Sequence, residues 1–185
     1  MKILKEHSDS AETAAGYIKN GGVVIIPTDT IYGFSSIAGD GGKKIRAIKG
    51  RAETKPFIEL VDSVEAAKSI SSIEIPEKLL QCWPGALTVI VPRKAEFGGG
   101  TVALRCPGDD WLRKVISLAG KSIYSTSVNR SGSAPMLCID EILKEFESEV
   151  DLIVCDGDTK GSTASTLVDI TSGEIKVLRQ GSIKI

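Results

Sequence analysis

Histidine is almost missing from this chain: His7 is the only one in 185 residues. That argues against a metal centre built from histidine and cysteine. The four cysteines, Cys82, Cys106, Cys138 and Cys155, are far apart. No pair has the spacing of a zinc ligand set or a redox motif, so they read as reduced, small core hydrophobes. An excess of one charge is missing too. Lys and Arg number 23 against 24 Asp and Glu, a net charge of -1, so no global field draws the chain to nucleic acid or a membrane surface. A local basic patch stays open. Long apolar runs are absent, which argues against a membrane span. The first twelve residues are charged and lack the apolar segment of a signal peptide. Together these features lead us to expect a cytosolic protein.

The familiar nucleotide and catalytic motifs are also missing. There is no Walker A loop, no Gly-x-Gly-x-x-Gly, no kinase set and no nucleophile elbow. A nucleotide, if used, is held by a less common scaffold. Repeats, low-complexity stretches and linkers are absent as well; Gly98-Gly99-Gly100 is too short for a linker and reads as a loop. What remains is ordinary globular material, 42% hydrophobic and 25% charged, long enough to bury a full core. The expectation is a single domain over residues 1–185.

Periodicity outlines the elements. Asp9 or Ser10 can cap a helix reaching about Asn20, with Ala11, Ala14, Ala15 and Ile18 on one face and Gly21-Gly22 ending it. Val23 to Ile26 is a β-branched run suited to a strand covered on both faces. A helix follows over about Gly42 to Lys49. Further strands are expected at Phe57–Val61, Leu87–Val91, Thr101–Arg105, Ile123–Thr126, Asp151–Cys155, Thr166–Ile170 and Ile175–Arg179. Helices are expected at Pro76–Cys82, Trp111–Leu118 and Ile139–Phe146. Helices alternate with strands early and strands cluster late, which predicts an α/β protein with a twisted, mixed open sheet and helices on its faces. Ligands of open α/β sheets bind at strand ends.

Five polar segments fall near such ends. Pro27-Thr28-Asp29-Thr30-Ile31-Tyr32-Gly33 crowds hydroxyls, a carboxylate and a phenol after a buried strand; a turn with a helix cap would use the same residues. Lys49-Gly50-Arg51 and Lys55 place three cations where a polyphosphate could sit, although taken alone this segment reads better as a solvated helix end. Arg105 ends an apolar strand, an expensive place for a charge unless it meets an anion, either a ligand carboxylate or a structural Asp. Tyr124 to Gly132 carries alternating hydroxyls into Asn129 and a tight turn, which could serve a ligand or the turn backbone. Ser162 to Thr166 is a hydroxyl-rich loop, and Arg179 lies just before Gly181.

Taken in order, these segments resemble the YrdC-like threonylcarbamoyl-AMP synthase family, in its short single-domain form. The resemblance rests on Pro-Thr-Asp-Thr-Ile-Tyr-Gly, Lys49-x-Arg51, Pro84-Gly85-Ala86-Leu87-Thr88, Val102-Ala103-Leu104-Arg105, Ser127-x-Asn129-x-Ser131-Gly132, Ser165-Thr166-x-Val168-Asp169 and Arg179-x-Gly181. It implies a twisted mixed sheet with a concave cavity. It also implies formation of L-threonylcarbamoyl-AMP and pyrophosphate from L-threonine, bicarbonate and ATP with Mg2+, with hand-off to the machinery that modifies tRNA adenosine 37 and possible tRNA contact. Carried over by motif, Thr28, Arg105, Ser125 and Ser165 would bind threonine. Lys49, Arg51, Lys55, Thr101, Ser127, Asn129 and Arg179 would serve ATP, with Lys49 and Arg51 as electrostatic catalysts, no covalent nucleophile and no resident metal. Three positions depart from the family pattern: Leu60 where histidine is common, Lys55 where asparagine is common, and Ala134-Pro135 in place of Pro-Ser. A double-stranded RNA or tRNA-binding module, or a non-synthase paralogue of the same fold, is the competing reading.

Overall fold

The computed structural model describes residues 1–50, 52 and 56–185. In chain order they form β1 (Lys2–Leu4), α1 (Ser10–Lys19), β2 (Val24–Ile26), β3 (Gly33–Ile37), α2 (Gly41–Lys49), β4 (Ile58–Leu60), α3 (Val64–Ile70), α4 (Glu77–Leu80), β5 (Leu87–Pro92), β6 (Thr101–Arg105), α5 (Asp110–Ala119), β7 (Ile123–Ser127), α6 (Ile139–Phe146), β8 (Leu152–Cys155), β9 (Thr166–Asp169) and β10 (Lys176–Arg179). The strands join in one twisted sheet, ordered β1-β8-β2-β3-β7-β4-β6-β5-β9-β10. Pairing is mixed: β2 with β8, β4 with β6 and β5 with β9 are parallel, while β3 runs antiparallel to both β2 and β7. No helix among the described residues is long and apolar enough to cross a membrane.

Register decides which side chains share a face, because strand side chains alternate. Val24 pairs with Ser35, Ser35 with Ser125, Ser125 with Ile58, Ile58 with Ala103, and Ala103 with Ile90. That row defines one face. Its β8-β2 side is covered by α1 and α5, where Ala14, Ile18, Leu112 and Val115 pack on Val24, Ile26, Leu152 and Val154. The same helices reach Ile123 and Leu60 at one end of β7 and β4; beyond them the β7-β4-β6-β5 part of the face forms a hollow. The other face is covered by α2 and α6 through Ile45, Ile142 and Phe146 against Ile25, Phe34 and Ile153. Toward β5 and β9, α3 and α4 cover it, with Ala67 and Leu79 on Val89, Leu104 and Val168.

The expected face of α1 is the buried one: Ala11, Ala14, Ala15 and Ile18 are buried. Asp9 occupies the cap position but makes no cap bond; its carboxylate meets His7 Nδ1 instead. Ser10 donates to Lys5 O at 2.6 Å. The β-branched run is buried throughout, Val24 and Ile26 on one face and Ile25 on the other. Three elements were not expected: β1, β3 and α3. α3 is capped by Ser63, whose Oγ accepts from Ala66 N at 3.2 Å.

Phe34 and Phe146 meet edge to face, centroids 4.9 Å apart at 87°, and both are fully buried. This contact pins α6 to the centre of the sheet. Phe146→Ala is expected to cost about 3–5 kcal/mol, as for other buried Phe truncations. Urea unfolding checks this: the midpoint should fall while the slope stays constant.

Candidate functional site

The uncovered part of the sheet face encloses a hollow of about 300 Å3, at the small end of the range for ligand sites. Ile31, Ile58, Ile90, Ala103 and Leu167 give it apolar walls, and Thr28, Arg105, Ser125, Ser127, Ser165 and Arg179 supply polar groups. Segments far apart in sequence thus converge, because β7, β4, β6 and β5 lie side by side in the sheet.

The turn after β2 is held by its own side chains. Thr28 Oγ1 donates to Ile31 O at 2.8 Å and accepts from Thr30 N at 3.0 Å. Thr30 Oγ1 lies 2.9 Å from Thr28 Oγ1 and accepts from Arg105 Nη1 at 3.0 Å. The turn bonds itself as expected and also lines the hollow, but it caps no helix: β3 follows it, and Asp29 bonds Arg105 and the Gly108 amide rather than local amides. Gly33 follows, and a Cβ there would come within 2.6 Å of Ser125 Oγ. Glycine is required at this point so that Ser125 can sit in the wall.

Arg105 is 4% exposed. Its guanidinium forms an ion pair with Asp29 Oδ1, and its Nε donates to Gly85 O at 3.1 Å. Asp29 Oδ2 accepts from Gly108 N at 2.8 Å. The anion demanded by a buried arginine is therefore a structural Asp. Of the five N–H groups of a guanidinium, three have these partners, leaving one on each terminal nitrogen at a residue that lines the hollow. Arg179 reaches in from β10: Nε donates to Ser165 O at 3.0 Å and Nη2 to Ser165 Oγ at 3.2 Å. Ser165 Oγ is also 2.7 Å from Thr88 Oγ1. Partial desolvation of the guanidinium where it enters the hollow, and then the positive charge of Arg105, hold the Arg179 pKa below its usual value, although the residue as a whole is exposed. Two guanidiniums that feel each other across a hollow make a site for an anion.

The remaining expected residues are not all brought here. Asn129 lies under the Ser127 turn, accepting from Ser127 Oγ at 2.7 Å. Lys49 is buried beneath the same turn and is not in the hollow's lining. Thr101 is exposed at the start of β6, four residues and therefore about 13 Å along the strand from Arg105. Arg51 and Lys55 lie outside the described residues. Leu60 packs in the core beneath α1 and α5, whereas Pro135 lines the hollow and offers apolar surface there.

A family profile described as "Sua5_yciO_yrdC: Telomere recombination" matches residues 16–181. The chain belongs to the Sua5/YciO/YrdC family. Among curated members of that family, it is similar to the threonylcarbamoyl-AMP synthase of Pyrococcus abyssi, 32% identical over 184 residues that cover 93% of this chain and 54% of that protein. The Bacillus subtilis threonylcarbamoyl-AMP synthase is 30% identical, with 97% of this chain and 56% of that protein covered. The chain thus spans about half the length of these relatives. The crystal structure of P. abyssi Sua5 complexed with L-threonine superposes with a TM-score of 0.86 at 29% identity, covering 98% of this chain and 57% of that one. A mixed α/β sheet is therefore both observed here and shared with the family.

Three residues of the turn went unassigned at the level of sequence, although they lie in the motif that signalled it: Asp29, Thr30 and Tyr32. Tyr32 is fully buried beside the hollow. Its hydroxyl donates to Gly157 O at 2.8 Å and accepts from Asp156 N at 2.8 Å, fixing the start of the loop that ends at Ser165. Burial pushes its phenol up to about 12. The neutral form is thus favoured in the fold, and the stability it contributes is intact below about pH 10 and lost as pH rises toward 12. In a spectrophotometric titration of the phenols, Tyr32→Phe should delete a step near pH 12 and speed exchange of the Asp156 amide. A wild-type titration that is complete well below pH 12 would contradict this.

Proposed function

We propose that this protein condenses L-threonine, bicarbonate and ATP into L-threonylcarbamoyl-AMP, releasing pyrophosphate, as a nucleotidyltransferase. The observation that carries the reading is that Arg105 and Arg179, the latter bonded to Ser165, line one hollow together with Ser125 and Ser127. It is supported by the threonine-complexed relative of the same fold.

The chemistry suits a site with cations and hydroxyls. The threonine amine and bicarbonate give a carbamate and water. A carbamate oxygen then forms a bond to the α-phosphorus as the bond to pyrophosphate breaks. The carbamate is already an anionic nucleophile, so the scarcity of histidine is no obstacle. Attack of one anion on another needs fixed positive charge and alignment. In this reading the two remaining N–H groups of Arg105 hold the threonine carboxylate, with Thr28, Ser125 and Ser165 around it. Arg179 and Ser127 face the nucleotide, together with Arg51, Lys55 and Thr101 as the family motif implies. The described residues include no cluster of three or more His, Cys, Asp or Glu side chains that could hold a metal, and Asp29 is occupied by Arg105. In this reading Mg2+ comes with the triphosphate as part of the substrate, as is common for Mg2+ at phosphate sites. The adenylate is mixed-anhydride chemistry, which a separate transfer enzyme acting on tRNA would consume.

The test is pyrophosphate release from ATP and bicarbonate by the purified protein, with and without L-threonine. Release should require threonine; release indifferent to it would sink the reading. Removing a charge-assisted bond costs about 1.5–3 kcal/mol, so Arg105→Ala should raise the threonine KM about ten- to hundredfold. The ATP KM should change far less.

A further inference from the structure

We infer that Lys49 is a positioning residue: its ammonium builds the Ser127–Asn129 turn and acts on ligands through Ser127 rather than by touching phosphate. This rests on the hollow being the substrate site.

A lysine 2% exposed must find acceptors for its charge. An ammonium has three hydrogens. Lys49 Nζ has three acceptors on the turn: Ser127 O at 2.5 Å, Asn129 O at 2.9 Å and Asn129 Oδ1 at 2.8 Å. The Phe34 ring lies 5.2 Å below it. The hydrogens are directed into the turn, and the residue is absent from the hollow's lining.

The backbone repeats the connection. Ser131 N donates to Lys49 O at 2.8 Å, and Arg130 Nη1 donates to Ile48 O at 2.6 Å. The last residues of α2 are thus tied to residues 127–131 by main chain and side chain alike. Asn129 distributes the effect. Its Oδ1 receives both Lys49 Nζ and Ser127 Oγ, the latter at 2.7 Å, and its Nδ2 donates to Arg130 O at 2.9 Å and Ser133 O at 2.7 Å. The rotamer of Ser127, which does line the hollow, is therefore set by an oxygen that Lys49 holds in place. Without the ammonium, the carbonyl oxygens of Ser127 and Asn129 would lose this donor, and Asn129 Oδ1 would keep only the Ser127 hydroxyl.

Two readouts test this. In a double-mutant cycle on kcat/KM for ATP, Ser127→Ala should lower the value in the wild type but change it less than twofold in a Lys49→Met background, because coupled residues are not additive. A full Ser127→Ala effect in that background would show independent ligand contacts and overturn the inference. In the ligand-free protein, Lys49→Met should speed amide exchange of residues 127–133 at least tenfold, with α1 and α5 unchanged. Unaltered exchange there would also overturn it. Asn129→Ala removes the shared acceptor and should reproduce the same exchange pattern; it carries both readouts if Lys49→Met does not fold. The exchange measurement needs neither ATP nor threonine, so it stays decisive if the synthase reading fails.

Discussion

Burying a guanidinium in a sheet is costly unless opposite charge and good acceptors meet it, and Arg105 satisfies that condition with Asp29, Thr30 and Gly85. The arrangement around the hollow follows from this pairing. Asp29 is held by the Gly108 amide as well as by Arg105, so the turn after β2 is tied to the loop after β6. Thr30 carries the connection to Thr28. A positive charge is thereby fixed at the end of a strand, with two hydrogens to spare, in a wall of apolar side chains and hydroxyls.

The hollow itself is a consequence of incomplete covering. One face of the sheet is covered by α2 and α6 at one end and α3 and α4 at the other, with a gap between them at Glu59 and Tyr124. The opposite face is covered by α1 and α5 over β2, β8 and the Ile123 and Leu60 ends of β7 and β4. Small residues at Gly33, Ser125, Ala103 and Ser165 leave space where larger ones would have filled it. Chemistry here comes from position in the sheet, since no local motif of the familiar kinds is present.

How much of this could be read from sequence depended on how far each interaction reaches. Helix α1 and strand β2 were legible because their pattern is local: alanines at helical spacing and an unbroken β-branched run. Strand β3 was not. Gly-Phe-Ser-Ser-Ile has no apolar alternation, and it is a strand because β2 and β7 bond it from both sides. The hydroxyls of Ser35 and Ser36 are buried there; that of Ser36 reaches Gly22 O at 2.7 Å, while Ser35 Oγ has no partner among the described residues. The ordered motifs identified which segments converge, and Thr28, Arg105, Ser125, Ser127, Ser165 and Arg179 do line one hollow. They could not say which way each residue would point. Thr101 and Arg105 share a strand yet sit at opposite ends of it, and Lys49 turns beneath the Ser127 turn. The role of Asp29 as partner of Arg105 is a contact across 76 positions that no spacing rule encodes.

The two arginines at the hollow are held very differently. Arg105 sits on β6, in the interior of the sheet and almost wholly enclosed. Arg179 belongs to β10, an outermost strand whose four residues are all exposed and whose register shifts between Val177 and Arg179. Strands with so little burial open most easily. The hollow is thus bounded by one cation locked into the sheet and one carried on a loosely held edge, so adjustment of its size falls to the rim.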